Sequence, residues 1–420
     1  MTTPRRPLTM NPNYRAYVRG VRELHHLSVD GNEDSPEADA IRDATDGPWE
    51  ALSEVERERA GNLSEDLYAL VEPPPAGQPM NPQAQAKLNE AFEATQRGEW
   101  DRALELLRRW GAFISPDVVS FLRGKIWLDA GDPETAVLFL EHASRLQPDN
   151  GQYLAIYLYA LERANPRAAE ALARQVLQDQ AKTSPVAVIR AANIVFDASR
   201  SLPEADAAHQ LRQLISVLDG ALSRLEAGAE TGVDRWHQGI AVLLLSYCHE
   251  RLGHTQAAVD ALTRGLQADP YNPGLLGTRG ILLYGASPRA VGDLDLAIRN
   301  GSTEIWPFYF LAHHCLVTGR FEECRRLCER ALGLNGSAAV LSEVSEWLAI
   351  AQAELGFPAE MVRALFESAI RFDPSNERAK RNLGAFEAAS TPITAKDWET
   401  RSAGAVRTSG LAERRFAMAA

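Results

Sequence analysis

Three stretches of this chain close in the same way: Ala143-Ser-Arg-Leu-Gln-Pro148-Asp-Asn150, Gly265-Leu-Gln-Ala-Asp-Pro270-Tyr-Asn272 and Ala369-Ile-Arg-Phe-Asp-Pro374-Ser-Asn376. In each, a helix-forming run meets a proline, which cannot continue a helix because it lacks an N–H and clashes with the preceding turn. Each ends a segment of about 34 residues, a period at which helix pairs recur as stacked repeats. A pair of that length cannot bury its apolar face alone, so the sequence predicts a stack of pairs. A stack presents a long surface, which makes binding the first expectation for function.

Inside the segments the positions repeat as well. From Asp117 to Asn150 they are Arg123-Gly124, Trp127, Gly131 at a turn, Ala136, Leu140, Ala143 and Pro148; from Gly239 to Asn272 they are Leu245-Ser246, His249, Gly253, Ala258, Leu262, Gly265 and Pro270. Two helices joined by a short glycine turn approach closely only where small side chains face each other, so Gly124 is expected opposite Ala136 and Ser246 opposite Ala258. This pattern resembles the tetratricopeptide repeat, with Arg123 and His249 as departures from it. The resemblance implies an all-α fold, a right-handed α-solenoid of about seven or eight helix pairs.

Weaker units follow the same scheme: Gln85 to Trp110; Arg279-Gly280 with Ala290, Leu294 and Ala297; Trp306 to Ala331; and Trp347-Leu348-Ala349 with Gly356 and Phe366. The segment from Gln152 to Gln178 matches poorly, and Pro203 to Glu226 is expected as one long helix. The domain boundaries that result are a small helical leader over 1–72, a proline-rich linker over 73–83, and an N-terminal subarray over 84–180. A degenerate repeat over 181–238, a C-terminal subarray with its capping helix over 239–388, and a mostly disordered tail over 389–420 complete them. In the tail, Trp398 is the only large anchor before Phe416.

Composition bounds the rest. The chain has 420 residues, 45% apolar and 24% charged, as in an ordinary globular protein. No run approaches a membrane span and the N-terminus lacks a signal peptide's apolar core, so a cytoplasmic location is expected, with an organelle transit peptide as the alternative. Lysine supplies five of 44 basic residues and alanine is abundant, a bias similar to that of high-GC bacterial coding. Net charge is −12, and residues 29–72 hold fourteen acidic residues against Arg42, Arg57 and Arg59. The leader is expected to place helices over Asn13–Leu27, Pro36–Thr45, a run opened by the capping box Ser53-x-x-Glu56, and Ser64–Leu70, with Trp49 as its core anchor. Because Pro73-Pro74-Pro75 stiffens the connection, the array is expected to fold without the leader.

Candidate chemistry is sparse. Cys315, Cys324 and Cys328 near His313-His314 invite a zinc site, but all three occupy packing positions that want a small apolar side chain, so no metal is expected. Asp30, Asn32 and Asp34 have the spacing of a calcium loop, yet Ser35 stands where the turn glycine belongs and Ile41 where a bidentate Glu belongs. An acidic leader repels phosphate, which argues against nucleic acid. No nucleophile elbow, Walker loop or zincin motif occurs, so neither an enzyme nor a cofactor is expected.

The expected function is protein binding. In the tetratricopeptide family the concave wall is made of first-helix residues lying between the packing positions. The resemblance places there Leu88 and Phe92; Phe121, Lys125 and Leu128; Leu243 and Tyr247; Ile281 and Tyr284; Tyr309, His313 and Leu316. The wall is apolar and aromatic and lacks the Lys and Asn clamp of chaperone-binding repeats, so an apolar helix or extended segment of another protein suits it. Three alternatives stand beside this: Tyr247, Tyr284 and Tyr309 buried between helices with the groove empty or filled by the chain's own tail, a regulatory subunit acting through the acidic leader, and a peptide-sensing regulator.

Overall fold

The computed structural model describes residues 11–71, 78–228, 232–388 and 398–417. It is all-α, with no strand among the described residues. The chain divides between Val195 and Phe196 into two compact units. The first holds α1 (Pro12–Val29), α2 (Pro36–Glu50), α3 (Glu54–Tyr68), α4 (Pro82–Arg97), α5 (Trp100–Trp110), α6 (Pro116–Asp129), α7 (Pro133–Leu146), α8 (Gly151–Ala164), α9 (Pro166–Gln178) and most of α10 (Pro185–Ala198). The second holds α11 (Glu204–Gly228), α12 (Gly232–Arg251), α13 (Thr255–Ala268), α14 (Pro273–Leu283), α15 (Arg289–Arg299), α16 (Ile305–Val317), α17 (Phe321–Ala331), α18 (Ala338–Glu354), α19 (Ala359–Phe372), α20 (Glu377–Ala388) and α21 (Ala403–Ala417). The division falls inside the segment 181–238, and α11 is the long helix expected there. No helix among the described residues is long and apolar enough to cross a membrane.

Local signals start these helices. Asn81-Pro82, Asp132-Pro133, Asn165-Pro166 and Asn272-Pro273 each place a side-chain oxygen on an orphan backbone N–H, with a proline whose missing donor costs nothing in the first turn. At the α6–α7 turn Gly131 adopts φ 88°, and Asp132 N–H donates back to Trp127 O at 3.0 Å, closing the helix end. The same backward bond recurs from His254 to His249, from Arg320 to Cys315 and from Phe357 to Gln352. The same turn chemistry thus sets the register of these four hairpins.

Helix crossings obey the expected register. A methyl group on Gly124 would lie 2.5 Å from Leu140 Cγ and 3.1 Å from Ala136 O; on Gly280 it would lie 2.8 Å from Leu294 Cγ and 3.1 Å from Ala290 O. Two repeats therefore cross at the same contact. Gly124→Leu is expected to destabilise the first unit by about 3 kcal/mol or more, since backbone lies directly opposite and cannot give way. Thermal melts would check this, and a wild-type midpoint would contradict the assigned crossing.

The leader departs from expectation in four ways, three of them local. Helix α2 runs on through Pro48 to Glu50, and α3 is one helix to Tyr68 rather than two, because Ala60, Leu63 and Leu67 form one continuous buried face. The capping box at Ser53 forms as expected, with Glu56 accepting from Ser53 N–H at 2.9 Å. Trp49 is only half-buried, against Tyr17, and the fully buried anchor is Tyr14.

Most consequentially, the leader has no core of its own. Tyr14, Val18, Val21, Leu52, Leu63 and Leu67 belong to one apolar cluster with Leu104, Trp127 and Phe139 of the array. Arg22 reaches Asp132 at 3.1 Å and Thr135 Oγ1 at 3.1 Å, Arg59 pairs with Asp101 at 2.6 Å, and buried Asp66 holds Arg123 at 2.6 Å. Arg123, the misfit in the repeat pattern, is the array's handle on the leader. Prolines 73–75 of the expected linker lie outside the described residues.

Candidate functional site

In the second unit the first helices of successive hairpins pack side by side, α12 on α14, α14 on α16 and α16 on α18, and so form a wall. Helix α21 lies against that wall on α14 and α16. This corrects the expectation of a mostly disordered tail: residues 398–417 are described and 403–417 are helical, while 389–397 and 418–420 lie outside the described residues. Small residues make the fit. Ala403 faces Gly285, where an added methyl would meet Ala403 Cβ at 3.1 Å, and Gly410 faces the Phe310 ring, where one would meet Cζ at 2.6 Å. Val406 is fully buried between them in chain order.

The expected groove residues divide accordingly. Ile281, Tyr284, Tyr309, His313 and Leu316 are all 5% exposed or less, so they are core residues here and not an open wall. Tyr284 and Tyr309 are thus buried, as one alternative had it, and α21 lies on α14 and α16. Tyr309 packs on Trp347 with ring centroids 4.7 Å apart, and Tyr284 meets Phe310 edge-on at 5.0 Å. Leu243 and Tyr247 are half-buried, Tyr247 facing Phe196. In the first unit Leu88 and Leu128 are also buried, whereas Phe121 is half-buried and stacked on Tyr153 at 4.6 Å. Phe92 is 46% exposed and Lys125 is exposed beside Asp129 at 3.0 Å.

Polar contacts tie the tail down. His313 Nε2–H donates to Arg401 O at 2.9 Å while its Nδ1 accepts from the Tyr284 hydroxyl at 2.7 Å, an arrangement that needs the neutral ring. Arg401 donates to Glu343 Oε1 at 2.7 Å, and Glu343 also takes the Tyr309 hydroxyl and Arg378. Wholly buried Glu346 accepts from Arg378, Asn376 and Asn382. Trp398 Nε1–H donates to Glu354 at 2.7 Å, its ring set beside Phe366 and Phe386, and Glu399 pairs with Arg381 at 2.6 Å. Burial works to raise the Glu343 carboxyl, but the Tyr309 hydroxyl and the two guanidiniums together hold it below its ordinary value.

Sequence reasoning missed Glu343, Glu346, Arg378, Arg401 and Val406. One signal was available: Glu343 and Glu346 stand one turn apart in α18, a helix apolar on nearly every side, where a carboxylate must find partners. The partners on α20 and the tail were not legible, because they come from 32 and 58 residues away.

The cysteines occupy the packing positions assigned to them. Cys315, Cys324 and Cys328 are fully buried, Cys324 and Cys328 with sulfurs 3.9 Å apart, and burial pushes the Cys315 thiol up to about 12. Among the described residues no cluster of three or more His, Cys, Asp or Glu is arranged to hold a metal ion. His313 is not turned to these thiols but faces the tail.

Burial lowers the His313 pKa from its ordinary 6.5 to about 4, with the Arg401 carbonyl and Glu343 opposing and Arg378 and Arg401 assisting. A histidine held neutral in the fold takes up its proton in the unfolded chain first, so its contribution is complete above 6.5 and lost as pH falls toward 4. The second unit is expected to lose on the order of 3 kcal/mol across that window. His313→Gln should flatten the stability profile between pH 6.5 and 4.5. An unchanged profile would sink the assignment.

No protein-family model matches the chain, and no curated protein does. Solved structures resemble it at low identity. A tetratricopeptide repeat protein from Parabacteroides merdae is 12% identical with a TM-score of 0.41, over 65% of this chain and 100% of that one. A monomeric mutant of IFIT1 with a capped RNA is 13% identical with a TM-score of 0.43, over 90% of this chain and 87% of that one. PilW, a type IV pilus biogenesis factor, is 13% identical with a TM-score of 0.29, over 72% of this chain and 99% of that one. By the repeated hairpin, its Gly–Ala crossing and its closing proline, this chain is a tetratricopeptide-type helical array in fold.

Proposed function

We propose that the chain is a non-catalytic interaction scaffold whose first-helix wall receives a helical segment of a partner protein. The observation that carries this reading is helix α21 lying on α14 and α16, with Ala403 at Gly285 and Gly410 at the Phe310 ring, and the Arg401 carbonyl just ahead of it held by His313. A surface that accepts one helix through small residues, one aliphatic side chain and an arginine has the chemistry of helix-in-groove recognition. The clustered titratable groups support binding over catalysis, since Tyr309, His313, Glu343 and Arg401 are spent on one another and on the tail. A protein partner suits the wall better than nucleic acid: the carboxylate at the mouth, Glu343, calls for a cation.

The test is to add each purified protein retained by the immobilised chain and follow backbone hydrogen exchange. Slowed exchange in α14 and α16 is the expected result. Protection confined to α1–α3 would overturn the reading in favour of a function residing in the leader.

A further inference from the structure

We infer that α21 is a displaceable occupant of this groove: an internal stand-in that competes with the partner helix and so reveals which sequence the groove selects. The inference rests on the function proposed above and goes further, naming the partner's chemistry and the device that regulates access.

The tail has two parts of unequal hold. Residues 398–399 are clasped against α18, α19 and α20: Trp398 is 5% exposed beside Phe366 and Phe386 and donates to Glu354, and Glu399 exchanges two hydrogen bonds with Asn382 and two with Arg381. That part belongs to the end of the stack. Between 400 and 411, by contrast, Val406 is the sole fully buried apolar side chain larger than a methyl group, and Ala403 and Leu411 are only half-buried. Over 400–411, what the tail covers is richer in apolar side chains than what it brings. Beneath it lie Gly285, the Phe310 ring and His313, with Glu343 at the margin. A helix adding larger apolar contact at the same register would outcompete it, and detaching α21 would leave the clasp at Trp398 in place.

The seating also defines a pattern. A basic residue meets Glu343, its carbonyl accepts from His313 Nε2–H, a small residue two positions on passes Gly285, an aliphatic residue three further on is buried, and a small residue four further on passes Phe310. Arg401, Ala403, Val406 and Gly410 fill these places in the tail. A partner helix of the form basic-x-small-x-x-aliphatic-x-x-x-small fits the same wall.

A labelled peptide of residues 398–417 tests the idea on the full chain by fluorescence anisotropy. Little binding is expected to the wild-type chain, and at least tenfold tighter binding to Val406→Asp, whose own tail cannot seat its aspartate. In the Val406→Asp chain, adding Glu343→Gln should weaken the peptide several-fold, and a peptide carrying the Val406→Asp change should not bind. Equal affinity for the wild-type and Val406→Asp chains would overturn the proposal, as would no binding to a Val406→Asp chain that melts like wild type. Neither result depends on the natural partner, so the protection experiment above can still succeed when this one fails.

Discussion

A chain beginning at Gln83 is expected to lose ordered structure in its first hairpins, although the sequence by itself suggests a separable leader. Tyr14, Val18, Val21, Leu52, Leu63 and Leu67 share one core with Leu104, Trp127 and Phe139, so cutting at the linker removes one side of that core. Each large apolar side chain taken out of the cluster forfeits about 1.5–3 kcal/mol of burial, and six of them, roughly 9–18 kcal/mol, are comparable with the total stability of an ordinary domain. Hydrogen exchange is the suitable readout, because the second unit can retain its helical signal while α4–α7 lose protection. A single substitution isolates the polar part of the same joint. Asp66 is buried, with its pKa raised to about 6 by desolvation against the pull of Arg123 and Arg108, and Asp66→Ala leaves Arg123 buried without its carboxylate. Losing one member of a buried pair costs about 3–5 kcal/mol. A fragment from Gln83 with native protection in α4–α7 would show that the shared core is dispensable.

Tyr309→Ala is expected to unfold the second unit or come close to it. The ring is 1% exposed, packed among Trp306, Phe310 and Trp347, and its hydroxyl is held by Glu343. Truncating a buried aromatic to alanine costs about 3–5 kcal/mol, and here the lost hydroxyl also removes one of the groups that keep Glu343 charged. Tyr247→Ala, at a half-buried position, should cost about 1 kcal/mol. Urea titrations of the two variants separate a core tyrosine from a wall tyrosine. Similar midpoints for both would mean that Tyr309 is not the core residue described here. The contrast matters for function, because a binding defect in Tyr309→Ala would report lost folding, whereas Val406→Asp alters the occupant and spares the wall.

The repeat itself was legible in the sequence because its determinants are local. A Gly–Ala crossing lies within one hairpin, as Gly124 and Ala136 do; a glycine turn is decided by its own φ; and a proline ends a helix wherever it stands. Cys315, Cys324 and Cys328 were assigned to packing positions on the same local grounds, and they are buried there. The candidate wall was half legible. Spacing identified Ile281, Tyr284, Tyr309, His313 and Leu316 as lying on first helices, but what covers a helix face is settled by residues far away in the chain. Arg401 reaches Glu343 across 58 positions, and Arg22 reaches Asp132 across 110. Nothing periodic in the sequence encodes such pairs, since each is a single contact and leaves no repeat. The linker misled for a related reason: proline stiffness governs the path of the chain and not the surfaces on either side, and the surfaces joined. Local chemistry thus determined that this protein is a stack of helix pairs, while long-range packing decided that its leader completes the first core and its tail occupies the second groove.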